Sequence, residues 1–197
     1  CDKSFIVPVN EPWFSDGHGK VTLQETVRDK DVFIFQDIGN YSIKYEMHGL
    51  INHTSPNDLA QQLKDAIGAC KCHTSGLSIV MPLLFAGRQH RRINREPLSC
   101  ATYLGELDAD QHVKRIITFD AHDQGVQQAL RDTEFDNFFA TNQLLEQFIN
   151  DTPQEQLKDV LFVAPDYGAT GRMNFYLNAF SSPHILKDAG SFYKRRD

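Results

Sequence analysis

Leu77-Ser78-Ile79-Val80-Met81-Pro82-Leu83-Leu84-Phe85 runs directly into Gly87-Arg88-Gln89-His90-Arg91-Arg92, and the reading of this junction decides the fold. The apolar, β-branched run is a buried strand ending near Pro82, because proline cannot donate to a central ladder. Positive charge sits where the strand stops. Upstream, Asp31-Val32-Phe33-Ile34-Phe35-Gln36 is a near-continuous hydrophobic strand, expected to be buried on both faces as in a parallel sheet, followed by the turn Asp37-Ile38-Gly39-Asn40. Ser55-Pro56-Asn57 caps a helix reaching about Ala69, with Leu59, Leu63, Ala66 and Ile67 at helical spacing. Downstream, a helix from about Leu98 to Leu107 leads to strand Arg115–Asp120 and the polar turn Ala121-His122-Asp123. A helix from about Thr141 to Ile149 then leads to strand Val160–Ala164 and the turn Pro165-Asp166-Tyr167-Gly168.

Strand, polar turn and helix therefore recur, the signature of an α/β fold: a three-layer, open, mostly parallel sheet with helices on both faces. In such sheets ligands bind beyond the carboxyl ends of the strands, the edge on which these polar turns lie. If the strands ending at Asp120 and Asp166 are neighbours, their polar turns share one site.

A chain of 197 residues can bury a core without disulfide or metal staples. Its formal net charge of -6 and pI near 5.7 argue against a general nucleic-acid binder, which needs a broad positive surface. The apolar runs are far shorter than the ~20 residues that span a bilayer, so no membrane partner is expected. Four cysteines are too few for a secreted disulfide framework, and a reduced cytosol is the simpler home. Cys70-Lys71-Cys72-His73 reads as a helix end entering a turn, since no second zinc-ligand pair follows at a regular distance.

Within this acidic chain, Arg88, Arg91, Arg92 and Arg95 crowd one short stretch with Gln89, His90 and Asn94. Guanidinium forks of this kind clamp phosphate oxygens; the plainer alternative is a solvated basic loop. Asp120, His122 and Asp123 close one strand and Asp166 another. A sparse His/Asp set beside arginines suits magnesium on a nucleotide, because magnesium keeps waters and takes phosphate oxygens; a lone strand-end histidine is also commonly structural. Phe14-Ser15-Asp16-Gly17 offers an aromatic platform with an acceptor for a purine, or simply a turn. Lys194-Arg195-Arg196 is a source of charge for phosphoryl transfer, or a solvated tail.

Taken in order, these segments resemble ribose-phosphate pyrophosphokinase, also called phosphoribosyl pyrophosphate synthetase. The resemblance is carried by Phe14-Ser15-Asp16-Gly17, Glu25 through Ile34, Ser55-Pro56-Asn57-Asp58-Leu59, Arg88-Gln89-His90-Arg91-Arg92, Arg95-Glu96-Pro97-Leu98-Ser99, Ile117-Thr118-Phe119-Asp120-Ala121-His122 and Ala164-Pro165-Asp166. It implies a phosphoribosyltransferase-like fold and transfer of the pyrophosphoryl group of ATP to ribose 5-phosphate, giving phosphoribosyl pyrophosphate and AMP. By the same resemblance Phe14 and Asp16 contact adenine across a subunit interface, and Arg88 and Gln89 bind ATP. His122 and Asp166 engage Mg2+, while Lys194 and Arg196 match a catalytic basic pair. It further implies a cytoplasmic homo-oligomer built from dimers, as far as a hexamer.

Three positions depart from the pattern: His18 stands where a glutamate is common, His90 where an aspartate is common, and Tyr167-Gly168-Ala169 where a glycine pair follows the aspartate. No acidic strand end with a Thr/Ser-Gly-rich loop, the element that grips ribose 5-phosphate, is present through Asp197. The expectation is a fragment that is inactive alone: residues 1–150 as an amino-terminal α/β domain with the ATP-binding loop, and 151–197 as the incomplete beginning of a second. The alternative is a non-catalytic regulatory or scaffold homologue. A metal-dependent hydrolase using Asp120, His122 and Asp166 is disfavoured, because two-metal sites need more ligands.

Overall fold

The computed structural model describes residues 5–71, 74–157, 159–179 and 189–192, and the chain divides into two compact units, 1–138 and 139–197. In the first, β1 (Val9–Asn10) pairs antiparallel with β2 (Thr22–Leu23), and β3 (Asp31–Phe35) follows. β4 (Lys44–Met47) and β5 (Leu50–His53) form a hairpin closed by His48 and Gly49, with φ of 51° and 79°. Two successive left-handed residues match the twist of the flanking strands. α1 (Pro56–Cys70) begins in a capping box: the Asp58 backbone N–H donates to Ser55 Oγ at 3.2 Å, and the Ser55 N–H donates to Asp58 Oδ2 at 2.7 Å. β6 (Gly76–Val80), α2 (Ser99–Asp108), β7 (Val113–Phe119), a 3-10 turn at Gln124–Ala129 and β8 (Glu134–Phe138) complete the unit.

The four longest-range strands form one parallel sheet in the order β3-β6-β7-β8. Parallel order puts the ends of β3, β6 and β7 on one edge. Leu59 and Leu63 of α1 and Leu104 of α2 pack on Leu77, Ile79 and Ile116, all at most 1% exposed. Fully burying each such side chain contributes about 1.5–3 kcal/mol. Asp108 ends α2 as a buried acceptor for the backbone N–H groups of Arg131, Asp132 and Thr133, at 3.0, 3.0 and 2.8 Å. That triple contact fixes the entry to β8.

β3 departs from its expected burial on both faces. It is an edge strand, and its alternate residues Phe33 and Phe35 are 50% and 74% exposed, while Val32 and Ile34 pack towards the core. Hydrophobicity marked the strand, but burial depends on what covers each face.

The second unit contains α3 (Thr141–Asp151), α4 (Gln154–Leu157), β9 (Phe162–Ala164), a 3-10 turn at Tyr167–Ala169, α5 (Thr170–Ala179) and β10 (Ala189–Ser191). Leu145 and Leu157 are its buried apolar centre, with Val160, Phe162 and Tyr176 against them. A boundary near residue 150 would cut α3; the contacts divide the chain before that helix, between Phe138 and Phe139. β9 pairs in parallel with β10, so the expected adjacency of the strands ending at Asp120 and Asp166 does not hold: β7 lies between β6 and β8 in a different sheet. Strand order along the chain does not dictate neighbours in a sheet. Among the described residues no helix is long and apolar enough to cross a membrane.

Candidate functional site

Two loops leave the parallel sheet at its carboxyl edge. The first follows β6. Ala86 takes a left-handed φ of 51°, Gly87 N–H donates to Leu84 O at 3.1 Å and Gln89 N–H to Ala86 O at 2.7 Å, so the chain turns sharply before the arginines. Arg88, Gln89, Arg92 and Arg95 are exposed, and none of these arginines makes an ion pair with another described residue. Glu96 Oε1 accepts the N–H groups of Ile93 and Asn94 at 2.6 and 3.3 Å, closing the far side of the loop. The cations are held on an ordered backbone with their guanidinium groups turned to solvent.

The second loop follows β7. Asp120 has φ 48° and its N–H donates to Phe138 O at 2.9 Å; Ala121 N–H donates to Asn137 Oδ1 at 3.0 Å. Asp123 Oδ1 accepts Gly125 N–H at 2.8 Å and starts the 3-10 turn. His122 is exposed between these anchored neighbours.

Asp123 also joins the two loops, its Oδ2 lying 3.3 Å from His90 Nε2 and 3.4 Å from Arg91 Nη2. The Gly125 N–H, followed by the neighbouring His90 and Arg91, holds its carboxyl below the usual range despite partial burial. The His90 and His122 rings meet edge to face with centroids 5.1 Å apart. His90 is mostly buried, and its Nδ1 has no hydrogen-bond partner among the described residues. Sequence reasoning named both histidines and Asp123 but not this contact, which bridges loops about thirty residues apart; Asn137, half-buried within a polar strand, gave no signal at all.

Phe14 and Asp16 lie in the excursion between β1 and β2. Phe14 is 49% exposed, and Trp13 beside it stacks on Tyr45 of β4 with centroids 4.3 Å apart. Asp16 Oδ1 accepts the His18 N–H at 3.1 Å, the main reason its pKa is lowered, and its Oδ2 is 3.2 Å from His18 Nδ1. His18, one of the departing positions, therefore occupies the acceptor expected for a purine. Asp166 lies in the second unit, at the end of β9, where its Oδ1 accepts the Ala169 N–H at 3.1 Å and caps the turn into α5. Cys70, buried, ends α1 as expected; Cys72, His73, Lys194 and Arg196 lie outside the described residues.

Among the described residues no three His, Cys, Asp or Glu side chains converge to hold a metal unaided. A hard cation here would draw most ligands from water and phosphate oxygens, which is how magnesium is held on nucleotides. The exposed His122 imidazole at the end of β7 is a donor of the kind such a sparse set would use.

The architecture is that of a phosphoribosyltransferase-like α/β protein. It matches the crystal structure of phosphoribosylpyrophosphate synthetase from Mycobacterium smegmatis with a TM-score of 0.77 and 21% identity, over 99% of this chain and 59% of that one. Residues 4–109 match the N-terminal domain of ribose phosphate pyrophosphokinase. The chain is 31% identical over 162 residues to the ribose-phosphate pyrophosphokinase of Vibrio cholerae, and 27% over 176 residues to that of Bacillus caldolyticus. Those alignments take in 81% and 89% of this chain but 45% and 50% of the relatives, so the chain spans about half their length. The chain belongs to the ribose-phosphate pyrophosphokinase family.

Proposed function

We propose that the protein to which this chain belongs transfers the pyrophosphoryl group of ATP to the anomeric hydroxyl of ribose 5-phosphate, releasing AMP and phosphoribosyl pyrophosphate. The observation that carries this reading is the pairing of an exposed arginine loop with an anchored His122 turn at one sheet edge, in a chain whose residues 4–109 match this family's N-terminal domain. Arg88 and Gln89 bind the ATP polyphosphate, where bidentate guanidinium contacts are strongest. Phe14 supplies a face for adenine, with Asp16 beside it. His122 and Asp166 engage Mg2+, which when bound neutralises phosphate charge. Lys194 and Arg196 add positive charge where the transferring group becomes most negative. A cytoplasmic homo-oligomer built from dimers, with the adenine site shared between subunits, completes the reading.

The test is an assay of the full-length protein with ATP, Mg2+ and ribose 5-phosphate. AMP and phosphoribosyl pyrophosphate should form in equal amounts and only when the sugar phosphate is present. Release of inorganic phosphate without it would instead indicate hydrolysis. ATP binding without turnover over varied Mg2+ and phosphate would favour the scaffold homologue.

A further inference from the structure

The loop that carries Phe14 has a thin support of its own. β1 and β2 pair through Val9 with Leu23 and Asn10 with Thr22, and the loop between them closes on itself: Lys20 N–H donates to Pro12 O at 3.0 Å, Phe14 N–H to His18 O at 2.8 Å and Gly17 N–H to Phe14 O at 2.9 Å. A short two-stranded ribbon is marginally stable by itself in water. Its stiffness has to come from another element.

The β4–β5 hairpin supplies it through three contacts. Trp13 stacks on Tyr45 with centroids 4.3 Å apart and planes 16° apart. His48 N–H, at the hairpin turn, donates to Ser15 O at 3.0 Å. Met47 lies against Gly17, where φ is 89° and an added Cβ would stand 2.6 Å from Met47 Sδ. The hairpin in turn stands on the core. Thr54, 2% exposed, donates its N–H to Ile43 O at 3.1 Å and its hydroxyl to Asn40 O at 2.9 Å, one residue before the Ser55 cap of α1. Trp13 pairs with Gly19 in an antiparallel bridge, so the backbone is extended there and successive side chains take opposite sides. Turning Trp13 onto Tyr45 therefore sends Phe14 the other way, where it is 49% exposed.

We infer that Tyr45 and Met47 are positioning residues for the base of ATP: they fix Trp13 and Gly17 so that Phe14 meets the purine with its orientation already set. The inference rests on the reading of Phe14 as the adenine platform. An aromatic face held in place before the base arrives spares the ordering cost that a loose loop incurs on binding. Tyr45 and Met47 then act on the nucleotide through Phe14, and their effect should vanish when Phe14 is removed.

The experiment titrates ATP with Mg2+ into the full-length protein by calorimetry. The proteins compared are wild type, Phe14→Ala, Tyr45→Ala, Tyr45→Leu, Tyr45→Phe, Met47→Ala and the double variant Phe14→Ala/Tyr45→Leu. Leucine keeps apolar bulk at position 45 if alanine disturbs folding, and phenylalanine keeps the stacked ring. Phe14→Ala, Tyr45→Ala, Tyr45→Leu and Met47→Ala should each bind ATP about three- to tenfold more weakly, with Tyr45→Phe within about twofold of wild type. In the double variant the change at Tyr45 should add no more than about twofold to the loss from Phe14→Ala. Three results overturn the inference while Phe14 keeps its role: ATP affinity within about twofold of wild type in Tyr45→Leu or Met47→Ala, a Tyr45→Leu loss that repeats in full on Phe14→Ala, or a loss in Tyr45→Phe as large as in Tyr45→Leu. Unchanged ATP affinity in Phe14→Ala would remove the platform itself, and this inference with it.

Discussion

The loop after β6 and the turn after β7 leave the same sheet edge, yet they are built in opposite ways. The turn is tied down by its own strand and by β8: Asp120 to Phe138, Ala121 to Asn137, Gly125 to Asp123. The loop carries at least as much charge, but Arg88, Arg92 and Arg95 are exposed, and among the described residues its side-chain links to the turn are those of His90 and Arg91 to the Asp123 carboxylate and of the His90 ring to His122. A fixed turn holds His122 in place before any ligand arrives. Guanidinium groups that no described residue neutralises keep their charge for an anion from outside. One region is prebuilt geometry and the other is available charge.

That contrast can be broken from the scaffold side first. Asp108→Ala strands three backbone donors beneath β8 and should destabilise the protein by about 3 kcal/mol, seen as a lower urea midpoint with the slope unchanged. Burial opposes ionisation of Asp108, but the N–H groups of Asp132, Arg131 and Thr133 outweigh it and hold its pKa at about 2. The folded value lies below the unfolded value of about 3.9. Its stabilisation is therefore present above about pH 4 and lost as pH falls towards 2. Thermal melts of Asp108→Asn across that window should lose less stability than wild type as pH falls.

Asn137→Ala removes the acceptor for Ala121 N–H and should cost about 1–2 kcal/mol. It should also broaden the His122 ring signals in NMR while leaving loop backbone resonances near Arg92 in place. If the arginine loop moved as much as the turn, the contrast between the two would be wrong. Ala86→Gly relieves the left-handed φ of 51° at the entrance to the loop and should stabilise by about 0.5–1 kcal/mol in the same urea assay, the smallest effect of the series.

The sequence made the central elements legible because their signals are local. β6 and β7 are β-branched runs, and Ser55-Pro56-Asn57-Asp58 writes the start of α1 directly. β8 was missed because Glu134, Asp136 and Asn137 look unlike a strand; Glu134 and Asp136 lie against Arg115 of β7 at 2.9 and 3.3 Å, and Asn137 anchors the turn. The β4–β5 hairpin was missed for a similar reason, since Lys44 and Glu46 interrupt its apolar pattern. Arg88, Gln89 and His122 could be placed at strand ends from their position after apolar runs. The His90–Asp123 contact could not, because no periodicity encodes a meeting of two loops. Nor could the sheet partner of β9, which depends on the pairing of distant strands.

The central claim is that the arginine loop binds the ATP polyphosphate beside a turn already built. It is tested most directly by equilibrium titration of ATP with Mg2+ into the full-length protein and its Arg88→Ala variant, with urea unfolding of both. A charge-assisted contact to phosphate contributes about 1.5–3 kcal/mol, so the variant should bind ATP about 10- to 100-fold more weakly while its unfolding midpoint stays unchanged. Equal ATP affinity in the two proteins would contradict the account.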